Sequence, residues 1–183
     1  MEKAVLRQQM AADRRALPII ERRRLDTKIL KTLLGRKEIR AAKTICTYVS
    51  LPEEVDTREF IKLLLKEGKH VIVPIAEGHQ LVLYRIKSQD DLVPGAFGIL
   101  EPKAMLRRIN ASMIDVFIIP GIAFGRARYR LGWGKGYYDR LLASVTAPKI
   151  GLAYSLQIVP RLDHAKYDIP MDTVITEHET YSP

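Results

Sequence analysis

Two short apolar stretches and the segment between them decide the fold: TICTYVS at residues 44–50 and HVIVP at residues 70–74. Both are rich in β-branched side chains, which is typical of strands that are covered on both faces of a sheet. Residues 56–68 lie between them and carry apolar side chains at helical spacing. Strand, helix and strand in this order predict a βαβ unit with two parallel strands.

The predicted helix of this unit has recognisable signals at both ends. Asp56 is expected to cap its N-terminus, with Glu59 three residues later in the spacing of a capping box. Gly68 is expected to end it, because glycine readily adopts the conformation that follows the last helical turn.

The same patterns extend over the rest of the chain. Apolar residues at helical spacing predict two helices within residues 3–34, with Pro18 in the first turn of the second helix and Gly35 at its end. Residues 90–103 hold two prolines and two glycines and predict a long irregular connection. Further strands are predicted at residues 81–86, 116–120, 150–155 and 173–176, and a further helix at residues 137–145.

These elements define the fold class as α/β. Alternating strands and helices predict a three-layer sandwich around a mostly parallel sheet, with an N-terminal helical segment. No linker or repeat interrupts the pattern, so we expect a single domain that spans residues 1–183.

Composition and charge restrict the class of protein. The 183 residues are 47% apolar and 28% charged, which suits a globular domain and neither a disordered chain nor a repeat array. The formal charge is +9, and almost all of that excess arises in residues 1–45. Such a basic segment fits a polyanion such as nucleic acid or anionic lipid, a phosphorylated small molecule, or an ordinary solvated helix face.

The single cysteine, Cys46, lies in the first predicted strand and is expected to be a buried small side chain. It excludes an internal disulfide, and no Cys/His cluster has the spacing of a zinc site. No apolar run approaches the roughly 18 residues that cross a bilayer, and the first residues lack the pattern of a signal peptide. We therefore expect a cytoplasmic monomer that binds small molecules, with no nucleic acid and no membrane as partner.

Residues 130–140, RLGWGKGYYDR, carry the strongest chemical signal. Three glycines alternate with other residues between a strand and a helix, where backbone N–H groups can approach a ligand closely. Arg130 and Lys135 add positive charges, so the segment predicts a phosphate-binding loop. It is not a Walker A loop, because Gly136 follows Lys135, and it does not spell G-x-G-x-x-G. Asp139 fits either a divalent-cation ligand or a residue that complements the helix dipole.

Several motifs in a fixed order resemble the 5-formyltetrahydrofolate cyclo-ligase family, also called methenyltetrahydrofolate synthetase. The most specific is RLGxGKGYYD at residues 130–139. The others are Lys3-x-x-x-Arg7, Tyr48-Val49-Ser50 followed by Glu54-Val55-Asp56-Thr57, Phe97-Gly98-Ile99-x-Glu101-Pro102, PGxAF at residues 120–124, Gln157, and Asp168-x-x-x-Asp172-x-x-Ile175-Thr176-Glu177.

Three positions depart from the family pattern. Gly125 stands where a polar residue is usual, Arg128 where a glycine is usual, and Tyr167 where a histidine is frequent. The first two departures predict a changed turn at residues 125–129.

The resemblance implies an enzyme that uses ATP to convert 5-formyltetrahydrofolate into 5,10-methenyltetrahydrofolate, with ADP and phosphate released. Transfer of the γ-phosphoryl group would activate the formyl oxygen, and N10 would attack the formyl carbon before phosphate departs. Mg²⁺ is the implied cofactor and ATP the co-substrate.

The resemblance also implies residue roles. Lys135 and Arg130 would be the catalytic groups at the transferred phosphoryl group, and Asp139 and Asp168 would hold Mg²⁺, with Asp172 in reserve. The implied folate-binding residues are Val49, Glu54, Trp133, Gly134, Lys135, Gly136 and Tyr137. The implied ATP-binding residues are Lys3, Ala4, Val5, Leu6, Arg7, Arg130, Leu131, Gly132, Trp133, Gly134, Lys135, Gly136, Tyr137 and Tyr138.

From the residues alone, other interpretations stay open. Lys3 and Arg7 could equally be exposed surface charges. Glu54 could stabilise the start of the following helix, and Asp168 could cap a loop. Two other functions remain as well. One is a basic nucleic-acid-binding module, and the other is a different ATP-dependent ligase or kinase that uses the same loop.

Overall fold

A seven-stranded sheet lies at the centre of the computed structural model, which describes residues 2–95, 100–103 and 106–183. The strands are β1 (Thr44–Thr47), β2 (His70–Glu77), β3 (Gln80–Ile86), β4 (Leu92–Pro94), β5 (Leu100–Pro102), β6 (Val116–Ile119), β7 (Ala123–Gly125), β8 (Arg130–Leu131), β9 (Lys149–Leu152), β10 (Ile158–Val159), β11 (Thr173–Ile175) and β12 (Thr180–Tyr181). The helices are α1 (Lys3–Ala16), α2 (Ile19–Gly35), α3 (Lys37–Ala41), α4 (Arg58–Lys66) and α5 (Tyr137–Leu142).

The central sheet is mostly parallel, as the sequence predicts. Its order is β12-β11-β9-β6-β1-β2-β3, and only the edge strands β12 and β3 pair antiparallel with their neighbours. The predicted βαβ unit is confirmed, because β1 and β2 pair in parallel with α4 between them in the chain. Two smaller sheets accompany the central one: β10-β7-β8, and the antiparallel pair β4-β5.

Apolar side chains cover both faces of the sheet and give the predicted three layers. Ile45 of β1 packs in the cluster formed with α2, α3 and α4, whereas the next residue, Cys46, packs in the cluster that includes Leu142 of α5. This alternation follows from the two-residue repeat of a strand. Cys46 is 1% exposed, so the prediction that it is a buried small side chain is confirmed, and burial raises the pKa of its thiol.

Several element boundaries differ from the prediction. β1 ends at Thr47, three residues early, because the chain turns away into the segment 48–57. α4 begins after Thr57, and Asp56 lies one residue outside the expected cap position, where it accepts from the backbone N–H of Arg58 at 2.9 Å and pairs with its guanidinium. The capping box with Glu59 therefore does not form.

Other differences concern the ends of α2 and α5 and the long connection. Pro18 directly precedes α2 instead of lying in its first turn, and α5 ends three residues earlier than predicted. In the predicted irregular connection, β4 and β5 pair antiparallel, while the motif residues Phe97, Gly98 and Ile99 lie outside the described residues. α3 has only five residues and was not predicted.

Within the part of the chain that the structure describes, none of the helices has the length and apolar character that a membrane crossing requires.

Candidate functional site

A cavity of about 500 Å³ opens at the carboxyl ends of the neighbouring parallel strands β1 and β6. Loops at this edge of an open α/β sheet commonly form the ligand site. The lining comes from the chain after β1, the chain after β6, the start of β3, the loop from β8 to α5, the first turns of α1, and the loop before β11. Its residues are Lys3, Arg7, Glu54, Leu81, Pro120, Gly121, Ile122, Arg130, Leu131, Gly132, Trp133, Gly134, Lys135, Gly136, Tyr137, Tyr138, Asp139 and Asp168.

Most of the residues predicted from the sequence therefore lie around one space, although they come from four distant parts of the chain. Four do not line it. Ala4 and Val5 are exposed, and Leu6 is buried against Ile122 and Leu131. Val49 packs on the core cluster beneath the sheet edge. The roles assigned to these four residues stay predictions.

The glycine-rich loop takes its shape from backbone conformations that favour glycine. Gly134 and Gly136 have φ angles of 91° and 65°, in the left-handed region that other residues rarely adopt. Gly136 directly precedes α5, which has only six residues. Because a helix this short has a small dipole, we attribute the positive character of the loop mainly to its side chains.

α1 holds two cations at the wall of the cavity. The Nε of Arg7 donates a hydrogen bond to the carbonyl of Gly132 at 2.8 Å, which ties the helix to the glycine-rich loop. Lys3 Nζ lies 3.7 Å from a carboxylate oxygen of Asp168. The Lys3 and Asp168 side chains are 42% and 27% exposed, so this pair contributes at most about 1 kcal/mol and can open to admit a ligand.

Arg130 is a buried cation of the lining, with a side chain that is 7% exposed. Its Nη2 lies 3.3 and 3.4 Å from the two carboxylate oxygens of Asp139, and its guanidinium carbon lies 5.2 Å from the centre of the Tyr138 ring. Its Nε has no hydrogen-bond partner among residues 2–95, 100–103 and 106–183. A buried, oriented guanidinium with an unused donor is suited to binding an anionic oxygen.

Lys135 differs from Arg130 because it is exposed and its charge is not neutralised. Its Nζ lies 6.0 Å from the centre of the Tyr137 ring, a weak cation–π distance. No carboxylate of the described chain lies within salt-bridge distance of it. Tyr137 itself is fixed, since its hydroxyl donates to the carbonyl of Gly78 in the turn between β2 and β3 at 2.9 Å. Lys135 is thus free to contact a negatively charged group inside the cavity.

Glu54 is a further acidic residue of the cavity lining. One oxygen accepts a hydrogen bond from the backbone N–H of Leu51 at 3.0 Å. Burial raises the pKa of the Glu54 carboxyl, and the positive charge of Arg14 opposes that rise. The backbone of Glu54 is also fixed, because its carbonyl accepts from the hydroxyl of Tyr154 at 3.1 Å.

Two carboxylates, Asp139 and Asp168, line the same cavity and fit a magnesium ion. Mg²⁺ typically takes one or two protein carboxylates and completes its shell with water and phosphate oxygens. A cluster of three or more metal-binding side chains is not found in the described ranges. Asp172, the reserve candidate, is not in the lining and pairs with Lys149 at 3.1 Å.

Sequence reasoning missed the residues that hold the cavity together from outside. The Tyr154 hydroxyl lies 2.8 Å from a carboxylate oxygen of Asp26 and 3.1 Å from the carbonyl oxygen of Glu54, and Asp26 also accepts from the backbone N–H of Asp56 at 3.2 Å. Arg140 binds the carbonyl of His79 and so fixes α5 to the turn between β2 and β3. These contacts join residues up to 128 positions apart, so no local sequence pattern predicts them.

The departures from the family pattern have identifiable consequences. Arg128 adopts a φ of 67°, the conformation that a glycine would take without strain. It is held there by two contacts with Met171: its Nε donates to the carbonyl and its own carbonyl accepts from the N–H, both at 3.0 Å. Gly125 ends β7, and Tyr167 is 79% exposed. None of the three lines the cavity described above.

Comparisons with known proteins agree with this fold. A family model described as the 5-formyltetrahydrofolate cyclo-ligase family matches residues 1–177. The 5-formyltetrahydrofolate cyclo-ligase of Escherichia coli is 30% identical over 176 residues, which cover 92% of this chain and 96% of that protein. A probable 5-formyltetrahydrofolate cyclo-ligase of Schizosaccharomyces pombe is 33% identical over 161 residues, which cover 79% and 76%.

Solved structures give the same result. The NMR structure of 5,10-methenyltetrahydrofolate synthetase from Aquifex aeolicus superimposes with a TM-score of 0.89 at 41% identity, covering 100% of this chain and 93% of that one. A 5,10-methenyltetrahydrofolate synthetase from Mycoplasma pneumoniae gives a TM-score of 0.79 at 31% identity, covering 97% and 99%. On these grounds, the chain belongs to the 5-formyltetrahydrofolate cyclo-ligase family.

Proposed function

We propose that this protein uses ATP and Mg²⁺ to convert 5-formyltetrahydrofolate into 5,10-methenyltetrahydrofolate, releasing ADP and phosphate. One observation carries the proposal beyond family membership. Four cations, Lys3, Arg7, Arg130 and Lys135, line one cavity together with the glycines of the loop, and Glu54 lines the same cavity. Such a cavity has a region for a triphosphate beside a region for a hydrogen-bond-donating ring.

The reaction requires the formyl oxygen to become a leaving group. The γ-phosphoryl group passes from ATP to this oxygen, the bond between the β,γ-bridging oxygen and the γ-phosphorus breaks, and ADP leaves. N10 of the folate then attacks the activated carbon and loses its proton, and the carbon–oxygen bond breaks as phosphate departs. The formyl oxygen therefore ends in the phosphate product.

Phosphoryl transfer asks the protein chiefly to position the reactants and to neutralise charge. Lys135 is exposed and lacks a carboxylate partner in the described chain, so we assign it to the transferred phosphoryl group. Arg130 presents its guanidinium from a buried, oriented position, and we assign it to the same group. Lys3 and Arg7 lie in the first two turns of α1, line the cavity and are assigned to the remaining phosphates.

Asp139 and Asp168 are the residues that would hold Mg²⁺. The ion would neutralise charge that builds up on the phosphate oxygens. Each carboxylate already lies beside a cation, Arg130 and Lys3 respectively, so these cations are also held near the phosphates.

The folate would occupy the side of the cavity near Glu54. A carboxylate accepts hydrogen bonds and suits the donor-rich edge of a pterin ring. Trp133 is 56% exposed and lines the cavity, which gives an aromatic ring of the ligand a surface to stack on.

The excess positive charge of residues 1–45 is explained in part by contacts inside the protein. These contacts favour a small anionic ligand over nucleic acid. Lys3 and Arg7 line the cavity, Arg14 is buried, Arg22 bonds the carbonyls of Arg14 and Leu17, and Arg36 pairs with Glu38. Two of these side chains, Lys3 and Arg7, line the cavity, where a small anionic ligand would account for their charge.

A direct assay separates the proposed reaction from its rivals. Purified protein incubated with 5-formyltetrahydrofolate and Mg-ATP should release ADP only when folate is present, and should generate the near-ultraviolet absorbance of the amidinium product. A different ATP-dependent ligase or kinase would give neither signal with this folate. Tight nucleic-acid binding at physiological salt without folate turnover would favour the basic binding module.

Substitutions in α1 test the assignment of its cations to ATP. Lys3→Ala should raise the KM for ATP about tenfold, the scale of one lost charge-assisted contact, and leave the KM for folate almost unchanged. Arg7→Ala should also lower kcat, because Arg7 holds the carbonyl of Gly132 in the glycine-rich loop. The matched control is Arg15→Ala, which removes an exposed cation from the same helix. An unchanged KM for ATP in both variants would remove α1 from the nucleotide site.

A further inference from the structure

A buried arginine near the folate side of the cavity has no role in the reaction described above. Arg14, in the last turn of α1, is 1% exposed, and its Nε and Nη2 lack any hydrogen-bond partner in the residues that the structure describes. Burying a guanidinium with unused donors is unfavourable unless a negative charge compensates it. The burial of Arg14 therefore indicates that a negatively charged group lies close enough to compensate its charge.

The position of Arg14 on α1 relates it to the cavity. Lys3, Arg7 and Arg14 are spaced by four and seven residues, so they lie along one face of the helix. The first two reach the cavity, while Arg14 is buried behind it and is not among the lining residues. Helix α1 thus places Lys3 and Arg7 at the cavity and Arg14 in the buried region next to the segment that holds Pro52 and Glu54.

Arg14 lies next to the segment that carries Glu54, because the guanidinium of Arg22 donates both to the carbonyl of Arg14 and to the carbonyl of Pro52. The positive charge of Arg14 lowers the pKa of the Glu54 carboxyl. The described residues donate one hydrogen bond to its carboxylate, from Leu51. Its backbone segment is fixed on several sides: Arg22 binds the carbonyl of Pro52, and Tyr154 binds the carbonyl of Glu54. The segment can therefore hold Glu54 at a constant position relative to Arg14.

We propose that Arg14 is a positioning residue, whose buried positive charge keeps Glu54 ionised and directed towards the substrate. The proposal deepens the proposed function and rests on the assignment of Glu54 to the folate side. In this arrangement the carboxylate accepts hydrogen bonds from the donor-rich ring, and Arg14 supplies the counter-charge without touching the substrate.

The ionisation of Glu54 reflects several surrounding groups. Burial raises the pKa of its carboxyl, the charge of Glu53 raises it further, and the hydrogen bond from Leu51 and the charge of Arg14 lower it. The other charged or titratable groups that interact with it or share its cavity are Tyr48, Tyr138, Lys3, Arg7, Arg130, Lys135, Asp139 and Asp168. Since the pKa is raised overall, folate binding should weaken as pH falls through it. Loss of Arg14 should move this weakening to higher pH.

The test compares Arg14→Met, which removes the charge at similar volume, with Arg14→Lys, which keeps it. Arg15→Met is the matched control, because it removes an exposed charge from the neighbouring position. Three quantities are measured: the KM for 5-formyltetrahydrofolate across pH, the KM for ATP, and the titration of the Glu54 carboxyl by ¹³C NMR in the protein without substrate.

For Arg14→Met we expect the KM for folate to rise about tenfold, the scale of a weakened hydrogen bond to a charged group, with little change in the KM for ATP. The Glu54 titration and the pH profile of the folate KM should both move to higher pH. Arg14→Lys and Arg15→Met should leave the Glu54 titration close to that of the unmodified protein. An unmoved titration in Arg14→Met would overturn the proposal, even if the variant is less stable.

Stability supplies a second test that does not depend on the folding of Arg14→Met alone. Glu54→Gln leaves the buried guanidinium without its counter-charge and should lower Tm, and adding Arg14→Met to it should recover part of the loss. A double variant no more stable than Glu54→Gln would contradict the pairing. The NMR and stability results need no turnover, so they stand apart from failure of the proposed function, which would show as the absence of folate-dependent ADP release.

Discussion

Replacing Lys135 with alanine is expected to lower kcat about 10²- to 10³-fold, the usual effect of removing one electrostatic donor from a transition state. Lys135 is exposed, lines the cavity and has no carboxylate partner in the described chain, so its charge is available to the transferred phosphoryl group. Because its side chain adds little to the core, the thermal unfolding midpoint should stay almost constant. Steady-state ADP release and a thermal melt measure the two quantities.

The control for this experiment is Lys166→Ala, which removes another exposed lysine close in sequence to Asp168 but outside the cavity lining. It should retain the kcat of the unmodified protein. A kcat for Lys135→Ala within a factor of about two of the unmodified value would exclude Lys135 from the chemical step, whatever the KM values are.

Asp139→Asn and Asp168→Asn are each expected to raise the Mg²⁺ concentration needed for half-maximal activity. Both carboxylates line one cavity although 29 positions separate them in the sequence, and either substitution removes a negative charge that a hard cation prefers in its ligands. If one ion depends on both, the double variant should be less impaired than the product of the two single effects, since residues that act as a unit are not additive.

The structure also allows the metal role of Asp139 to be separated from its contact with Arg130. If Asp139 served only to orient that guanidinium, Asp139→Asn would lower kcat without changing the Mg²⁺ dependence. Similarly, an Asp168→Asn variant with an unchanged Mg²⁺ dependence would leave Asp168 as a partner of Lys3 and a cap for the N–H of Ala165. Strictly multiplicative losses would show that the two carboxylates act independently.

The sequence predicts the central architecture because its signals are local. Short apolar runs predict strands that are buried on both faces of a parallel sheet, and these runs become β1, β2, β6, β9 and β11. A helical pattern between the first two runs predicts that α4 connects β1 to a parallel β2. The glycine-rich loop is also recognisable, since alternating glycines between a strand and a helix rarely serve a core. The meeting of strand ends at one edge then places Glu54 and the loop around a common cavity.

The remaining features depend on contacts between distant parts of the chain. The capping prediction for Asp56 was wrong because Arg58 pairs with that carboxylate and the hydroxyl of Thr57 donates to the carbonyl of Tyr48 at 2.6 Å. Arg14 looks like any other cation of a basic helix, and only the packed structure shows that it is buried. A pattern along the chain reports neither the partner nor the burial of such a side chain.

The fate of the formyl oxygen tests the central claim most directly. The protein is supplied with Mg-ATP and 5-formyltetrahydrofolate that carries ¹⁸O in the formyl group, and the released phosphate is examined by ³¹P NMR. Phosphoryl transfer to the formyl oxygen predicts one ¹⁸O atom in each phosphate, formed in equal amount with ADP and the methenyl product. Unlabelled phosphate, or methenyl product formed without ADP, would contradict the account.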